Sequence, residues 1–304
     1  MKWNKLLAAA LCGVLLTGCA PQAVSDDAGS AADQPESANL VVNEIAVSEF
    51  AVFGGCAALE LPGRMVAAAA TGSRYDETAR FTAFSGSSEQ TWQKLLDGEL
   101  EVALAYAPSD AQREQLEEQG VLLQPVGADA LVFLAGTDAA DIALNFSKQD
   151  LLRIYQQGDA TWKGYAAAPK SDARLLFSDW MGTDCAGVTL DENGETLTAA
   201  CPHTTGTLCY TTYLSLQQTG LPENTQIVAV DGIVPSAQTL HEPRVSAEGY
   251  PIQITYYAAC RAGLDENDPA MLLYRWLTSE DGMHWLHQNA LADMEQEAAT
   301  EDGD

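Results

Sequence analysis

Hydrophobic and polar positions alternate along the chain in blocks that predict strands followed by helices. The clearest block is an apolar run, Ala130–Leu134, flanked by Gly127 and Gly136, which is typical of a buried strand. After a polar connector, Ser147 stands where a helix N-cap is expected, and apolar residues recur behind it at helical spacing as far as Gly158. A strand, a connector and a capped helix in this order indicate an α/β unit.

The same alternation continues on both sides of this block. Helix start signals occur at Ser87, at Ser109 and at Asp268, where Pro269 follows at the first helical position. The alanine-rich segment 56–70 predicts a further helix. Alternating strands and helices indicate an α/β protein with a mostly parallel sheet. The predicted strands cover 44–53, 81–84, 100–106, 121–126, 173–177, 228–230 and 252–259, with a hairpin turn at Asn193-Gly194.

The N-terminus has the three-part pattern of an export signal. Lys2 and Lys5 form a short basic region, residues 6–16 form an apolar region too short to span a bilayer, and the sequence LTGC ending at Cys19 resembles a bacterial lipobox. We therefore predict a signal peptide over residues 1–18 and a lipidated Cys19, which anchors the protein on the extracellular face of the cell membrane. The alternative is an ordinary secretory signal followed by an incidental cysteine.

Composition limits the partners and the number of domains. Residues 19–43 are rich in Ala, Ser, Asp, Gln and Pro and predict a disordered tether. The remaining roughly 260 residues suit one two-lobed domain or two small ones. The chain carries 43 Asp and Glu against 15 Lys and Arg, a formal net charge of −28. Such an acidic chain disfavours nucleic acid and anionic lipid as partners, so the N-terminal lipid is the predicted membrane contact.

Several segments resemble one family of proteins. Residues 129–165 run through a strand, an extended connector, a short helix and a Trp-Lys turn. Residues 86–102, GSSEQTWQKLLDGELEV, are similar to the family sequence GTTHEAYxxLINGEVDL, and residues 206–210 and 249–251 match later motifs. Together they resemble the substrate-binding proteins of phosphate ABC transporters, in the branch of Gram-positive lipoproteins. The resemblance covers most of residues 44–290.

The resemblance implies a fold and a function. The implied fold is α/β, two-lobed and periplasmic-binding-protein-like of type II, with each lobe a mostly parallel sheet flanked by helices. Lobe 1 would comprise 44–134 and 253–304, and lobe 2 would comprise 135–252. The implied function is that of a monomer that binds a small anion, phosphate in the family, between the lobes and delivers it to ABC permease subunits. No cofactor is implied. The residues themselves show no nucleophile elbow, metal pair or acid–base group at a recognisable spacing, so we predict no enzyme activity.

The resemblance also carries candidate ligand contacts to two turns and one strand end. A strand that leads through a turn into a helix offers free backbone N–H groups to an anion. In the family, hydroxyls of the first turn and of the second helix start touch the ligand. The matching positions here are Gly55, Cys56, Ala57, Ser87, Ser88 and Tyr106.

Three departures from the family pattern put tight phosphate binding in doubt. The family's first turn reads DGSTTxYP, whereas Cys56 and Ala57 lack both hydroxyls. The acid that often precedes the proline at position 108 is replaced by Tyr106-Ala107. The family's Arg and its GSGS or GSGT helix start are missing near 178–183, and Arg174 is expected within a strand. An accessory or sensory lipoprotein of the same fold, without phosphate binding, is therefore the alternative function.

The cysteines suggest one covalent link. Cys185 and Cys201 lie equally far from Asn193 in the predicted hairpin, and an extracellular location permits oxidation, so we predict a disulfide between them. Cys56 is expected to be a small buried residue, since no histidine lies nearby in sequence to act as its base. A zinc site remains an alternative, although no Cys-x₂-Cys pair is present. Its ligands would be Cys185, Cys201, His203 and Cys209.

Overall fold

One long strand, β4 (Leu122–Gly136), connects the two parts of the sheet. It pairs antiparallel with β11 (Gln253–Cys260) along its first half and with β8 (Thr207–Thr212) and β9 (Thr225–Ile227) along its second half. The computed structural model of the protein describes residues 45–136, 144–183, 188–189, 201–242 and 249–291. The sheet runs in the order β2 (Thr82–Phe84), β1 (Phe53–Gly55), β3 (Val102–Tyr106), β11, β4, β8, β6 (Lys163–Ala166) and β7 (Val188–Thr189), with β9 paired to β4.

The parallel strands lie at the two ends of this sheet. At one end, β1 pairs parallel with both β2 and β3, and at the other β6 pairs parallel with β7 and β8. The antiparallel strands β4 and β11 join these parts, and the predicted lobe boundary at residue 134 falls inside β4. The α/β class and the parallel pairing are as predicted.

Helices follow the strands and cover the sheet. Two more strands, β5 (Asn145–Phe146) and β10 (Ala229–Val230), form a separate parallel pair. Helix α4 continues into a π-helical turn at Arg153–Gln157. The helices are α1 (Glu60–Thr71), α2 (Ser88–Leu96), α3 (Asp110–Glu118), α4 (Lys148–Leu152), α5 (Asp172–Met181), α6 (Tyr213–Thr219), α7 (Pro269–Thr278) and α8 (Glu280–Ala290). In the described part of the chain, none of these helices has the length and apolar character that crossing a bilayer requires.

The predicted helix starts are confirmed. Ser87, Ser109 and Ser147 each accept a hydrogen bond from the backbone N–H three residues on, and the residue at that third position bonds back to the cap. Asp268 caps α7 by accepting from Ala270 N, and Pro269 is its first residue. These short-range side-chain contacts supply partners for the unpaired N–H groups of a first helical turn.

Two predicted strands are wrong. Residues 44–53 hold a short 3-10 turn at Val47–Glu49, and β1 begins only at Phe53 and includes both glycines of the predicted turn. A Cβ on Gly54 would lie 2.3 Å from Ala83 O, and one on Gly55 would lie 2.3 Å from Leu104 O. Glycine is therefore required by the close approach of β1 to both neighbouring strands, and not by a turn.

The second wrong strand, 173–177, is part of helix α5. Its buried residues Arg174, Phe177 and Met181 recur at spacings of three and four, and Gly182 ends the helix with a φ of 74°. The short apolar run predicts a strand here, but four to five apolar residues fit a strand and one side of a helix equally well. Arg174 is consequently a helical residue, buried against the preceding loop, and its Nη1 donates to Ala167 O at 3.4 Å.

A cluster of aromatic rings fixes α5 on the sheet. Phe177 of α5 stacks on Tyr210 of β8, with ring centroids 4.4 Å apart and an interplanar angle of 10°. Its other ring neighbours are Tyr155 at 4.8 Å, Phe133 of β4 at 5.9 Å and Trp180 at 6.3 Å. Buried aromatic pairs of this kind add stability beyond the area they bury. The cluster therefore determines where the N-terminus of α5 lies, which matters for the site described next.

Candidate functional site

The starts of helices α2 and α5 meet across the sheet. Ser88 is the first residue of α2, and Asp172 is the first residue of α5. The backbone N–H of Ser88 donates to both carboxylate oxygens of Asp172, at 2.9 and 3.1 Å, across 84 residues of sequence. The first-turn N–H groups of a helix carry a partial positive charge and attract an anion. Here the chain's own carboxylate is that anion.

Two further polar groups lie close to the Asp172 carboxylate. The Cys56 thiol and the Ser88 hydroxyl both lower its pKa. Ser88 Oγ accepts from the backbone N–H of Tyr106 at 3.0 Å, which fixes its position beside the carboxylate. Burial raises the pKa of the Cys56 sulfur well above its ordinary value, which keeps it a thiol and therefore a donor. Burial likewise raises the pKa of Asp172, against the opposing effect of these groups.

A cavity of about 630 Å³ opens beside this contact. Among the lining residues that the structure describes, none is Lys or Arg, and four carry carboxylates: Glu89, Asp110, Asp172 and Asp179. An adjoining cavity of about 660 Å³ contains Lys170, the single basic side chain among its described lining residues. Negative charges that line a cleft make the electrostatic potential inside it more negative. The first cavity therefore disfavours free anions.

The backbone donors of the first turn are already engaged. Cys56 N donates to Leu104 O at 3.2 Å, and Ala57 N donates to Gly86 O at 2.9 Å. Gly55 lies inside β1, where it pairs with both neighbouring strands. The N–H groups of Cys56 and Ala57 therefore have partners within the protein, and the ligand-binding role of Gly55, Cys56 and Ala57 stays a prediction. Of this turn, the Cys56 thiol lies nearest to the site, since burial and then the charge of the nearby Asp172 raise its pKa.

Of the other predicted contacts, Ser88 reaches the site as described, whereas Ser87 acts as a cap. Ser87 Oγ accepts from Gln90 N at 3.4 Å, and Ser87 N donates to Gln90 Oε1 at 3.2 Å. Tyr106 lines the first cavity, but its hydroxyl donates to Asp129 Oδ2 at 2.6 Å. The ligand-binding role proposed for Ser87, Ser88 and Tyr106 stays a prediction.

Asp129 is a second internal carboxylate at a helix start. Its Oδ1 accepts from Ala130 N at 2.7 Å and from Leu214 N, in the first turn of α6, at 3.0 Å. The side chain has no solvent exposure, and this burial raises its pKa to about 6. The Tyr106 hydroxyl, at 2.6 Å, and the two amides lower that pKa in opposition. Asp129 thereby ties the crossing strand β4 to α6 and to β3.

Sequence reasoning missed Asp172 because it assigned the wrong element to its neighbours. Because residues 173–177 are predicted to form a strand, the sequence analysis predicts no helix start at Ser171-Asp172. The signal was present in the cap, since Ser171 Oγ accepts from Arg174 N at 3.3 Å, and in the apolar spacing that continues to Met181.

The cysteine predictions are only partly within the described residues. Cys19 and Cys185 lie outside them, so the lipid anchor and the Cys185–Cys201 disulfide stay predictions. Cys201 and Cys209 are buried free thiols, and the neighbouring Cys209 lowers the pKa of Cys201. Within the described ranges, no group of three His, Cys, Asp or Glu side chains is arranged to hold a metal ion. The zinc alternative included Cys185 and is equally outside this description.

Comparison with known proteins identifies the class of fold. No family model matches the chain, and no curated protein does. The ABC-type phosphate transport receptor from Vibrio cholerae is 12% identical with a TM-score of 0.55, over 79% of this chain and 98% of that one. A proposed phosphate ABC transporter substrate-binding protein from Clostridium perfringens, solved with bound phosphate, is 12% identical with a TM-score of 0.56, over 76% and 94%.

At such low identity these likenesses show the fold alone. The chain has the two-lobed, periplasmic-binding-protein-like type II fold, and the structures it resembles include phosphate ABC transporter substrate-binding proteins, as its motifs predicted. By their names, one neighbour is a phosphate transport receptor and the other is a substrate-binding protein. The ligand and the role of this chain are separate questions, since one fold serves many functions.

Proposed function

We propose that this chain is a lipid-anchored extracellular protein of the solute-binding fold that has lost tight phosphate binding and serves an accessory or sensory role. The observation that supports this most directly is the position of Asp172, whose carboxylate accepts both hydrogen bonds from Ser88 N at the start of α2. A phosphate that used this helix start would have to displace a carboxylate of the protein itself.

The size of the expected loss follows from the missing donors. A hydrogen bond to a charged partner contributes about 1.5–3 kcal/mol. The two hydroxyls replaced by Cys56 and Ala57 and one basic contact together represent about 4.5–9 kcal/mol, which is roughly three to six decades in affinity at about 1.4 kcal/mol per decade. The bonds from Cys56 N and Ala57 N to main-chain carbonyls remove backbone donors as well.

The second candidate is the substrate-binding component of an ABC importer for a small oxyanion. It is favoured by the names of the two neighbours, which are a phosphate transport receptor and a phosphate transporter substrate-binding protein. In this candidate the chain acts as a monomer, closes on its anion and docks on permease subunits. It requires that Asp172 and the other cleft carboxylates tolerate a bound anion.

Titration calorimetry of the mature chain without its lipid decides between these candidates. We expect no submicromolar binding of phosphate, and no heat from sulfate or small organic anions at micromolar concentrations. Submicromolar phosphate binding would overturn the proposal and support the importer, because second-lobe donors would then outweigh the departures above. The titration is run at 50 and 500 mM salt, since binding driven by charge weakens with ionic strength.

A further inference from the structure

We propose that Asp172 is a built-in substitute for an external anion, occupying the start of helix α2 and keeping free oxyanions out of the cleft. This inference rests on the proposed function and names the residue responsible for it. The geometry is that of a bound anion, because the carboxylate receives the Ser88 N–H at 2.9 and 3.1 Å, and the Cys56 thiol and the Ser88 hydroxyl are close enough to lower its pKa. The same donors would suit a free carboxylate or oxyanion.

The donors are held in place without help from Asp172. Ser88 belongs to a nine-residue helix whose cap is closed by Ser87 and Gln90. Ser88 Oγ is fixed by the N–H of Tyr106 at 3.0 Å, and the Cys56 backbone is fixed by Leu104 O at 3.2 Å. Removing the Asp172 carboxylate should therefore leave a preformed pocket of donors, rather than a collapsed one.

An internal carboxylate competes effectively with an external anion. A group tethered to its site acts at an effective concentration in the millimolar range or above, whereas a free anion acts at its solution concentration. Asp172 is additionally positioned by α5, whose Phe177 stacks on Tyr210. The charge of the Asp172 carboxylate also repels any second anion that approaches the start of α2. Both effects disappear together when the carboxylate is removed.

The variant Asp172→Ala tests the proposal. We expect it to bind phosphate, sulfate, formate or acetate with millimolar affinity, at least tenfold more tightly than the wild-type chain. Calorimetry measures the affinity, and the amide resonance of Ser88 reports where the anion binds. Asp179→Ala is the matched control, because Asp179 lies on the same helix and lines the same cavity but has no hydrogen bond to Ser88. The control removes one charge from the cavity but frees no donor at Ser88, so it should bind these anions less tightly than Asp172→Ala and leave the Ser88 amide resonance unmoved.

A second variant separates charge from shape. Asp172→Asn keeps the side-chain volume and one acceptor oxygen but removes the charge, so it should bind the same anions more tightly than wild type and less tightly than Asp172→Ala. It also serves if Asp172→Ala shows no cooperative thermal unfolding. Equal affinities of wild type and both folded variants, with no movement of the Ser88 amide, would overturn the inference.

The outcomes distinguish this inference from the proposed function. Tight phosphate binding by the wild-type chain would contradict the proposed function itself. If neither the wild-type chain nor the Asp172→Ala variant binds these anions, the proposed function stays in place, but Asp172 is not the cause of the lost binding. An Asp172→Ala variant that binds anions without a Ser88 response would place the new site elsewhere and likewise contradict the inference.

Discussion

Asp129 has a consequence for the pH dependence of stability. Its carboxylate has no solvent exposure and is held by Tyr106, Ala130 and Leu214, yet burial still dominates and raises its pKa to about 6. In the unfolded chain the pKa is close to 3.8. The folded state therefore binds a proton more tightly than the unfolded state between these values. The resulting stabilisation is complete below about pH 4 and is lost as the pH rises through about 6.

The corresponding prediction compares wild type with Asp129→Asn, whose amide has nearly the same shape and does not titrate. The gap between the two pKa values corresponds to about 3 kcal/mol. We expect the free energy of unfolding of wild type, relative to that of Asp129→Asn, to fall by up to about 3 kcal/mol from pH 4 to pH 7. Denaturant titrations at several pH values measure it. Subtracting the variant removes the contribution of the other acidic groups, and a difference that is flat or rises with pH would contradict the assignment.

At the scale of single elements, caps were predictable and one helix was not. Ser87, Ser109, Ser147 and Asp268 were found from sequence because a cap contacts atoms only two to three residues away. The strand predicted at 173–177 is wrong because its apolar run fits the period of a strand and that of a helix. The packing partners that select the helix are aromatic residues of β4 and β8, which are distant in sequence. Local chemistry was therefore readable wherever the interacting atoms are close in sequence.

The helical assignment of α5 makes a direct prediction for its cap, Ser171. Replacing Ser171 with Ala removes the acceptor that Arg174 N uses at 3.3 Å. We expect a loss of about 1 kcal/mol in the free energy of unfolding, measured by chemical denaturation, because an N-cap side chain typically contributes this much. Ser171→Asn, which restores an acceptor, should stay within a few tenths of a kcal/mol of wild type.

Ser109→Ala, at the confirmed cap of α3, is the matched reference and should cost a similar amount. If Ser171→Ala is as stable as wild type while Ser109→Ala is destabilised, then Ser171 does not cap a helix over residues 172–181. Because Asp172 follows the cap directly, the same experiment also examines the element that carries the proposed internal anion.

At the scale of the whole molecule, the fold was predictable from the order of motifs, while the site was not. The sequence between 81 and 162 and between 206 and 290 placed strands, turns and helices in the order of a two-lobed binding protein, and two solved structures at 12% identity share that fold. The contact of Asp172 with Ser88 joins residues 84 apart in sequence. No local sequence pattern encodes such a pairing. The contact between Asp172 and Ser88 could therefore be found only from the three-dimensional structure.

The location of the protein depends on a segment outside the described residues. A sequence LTGC at the end of a short apolar region predicts that the mature chain begins at Cys19 with a lipid on its thiol. The predicted tether that follows has about two dozen residues and reaches roughly 80 Å when extended. Such a reach would let the folded part contact partners beyond the membrane surface, which suits an accessory or sensory role as well as a transport role.

The last prediction tests this anchor in the full-length chain, expressed in a bacterium that processes lipoproteins. Cys19→Ala removes the only thiol at the predicted cleavage site, so no diacylglycerol can be attached there. We expect the variant to accumulate as an unprocessed precursor or to be shed, and to leave the detergent phase in a phase-partition experiment. Cys12→Ala is the matched control, because Cys12 lies within the apolar region of the same signal, and it should partition like the parent. A Cys19→Ala protein that still partitions into detergent as the parent does would refute the lipid anchor and leave an ordinary secretory signal as the explanation.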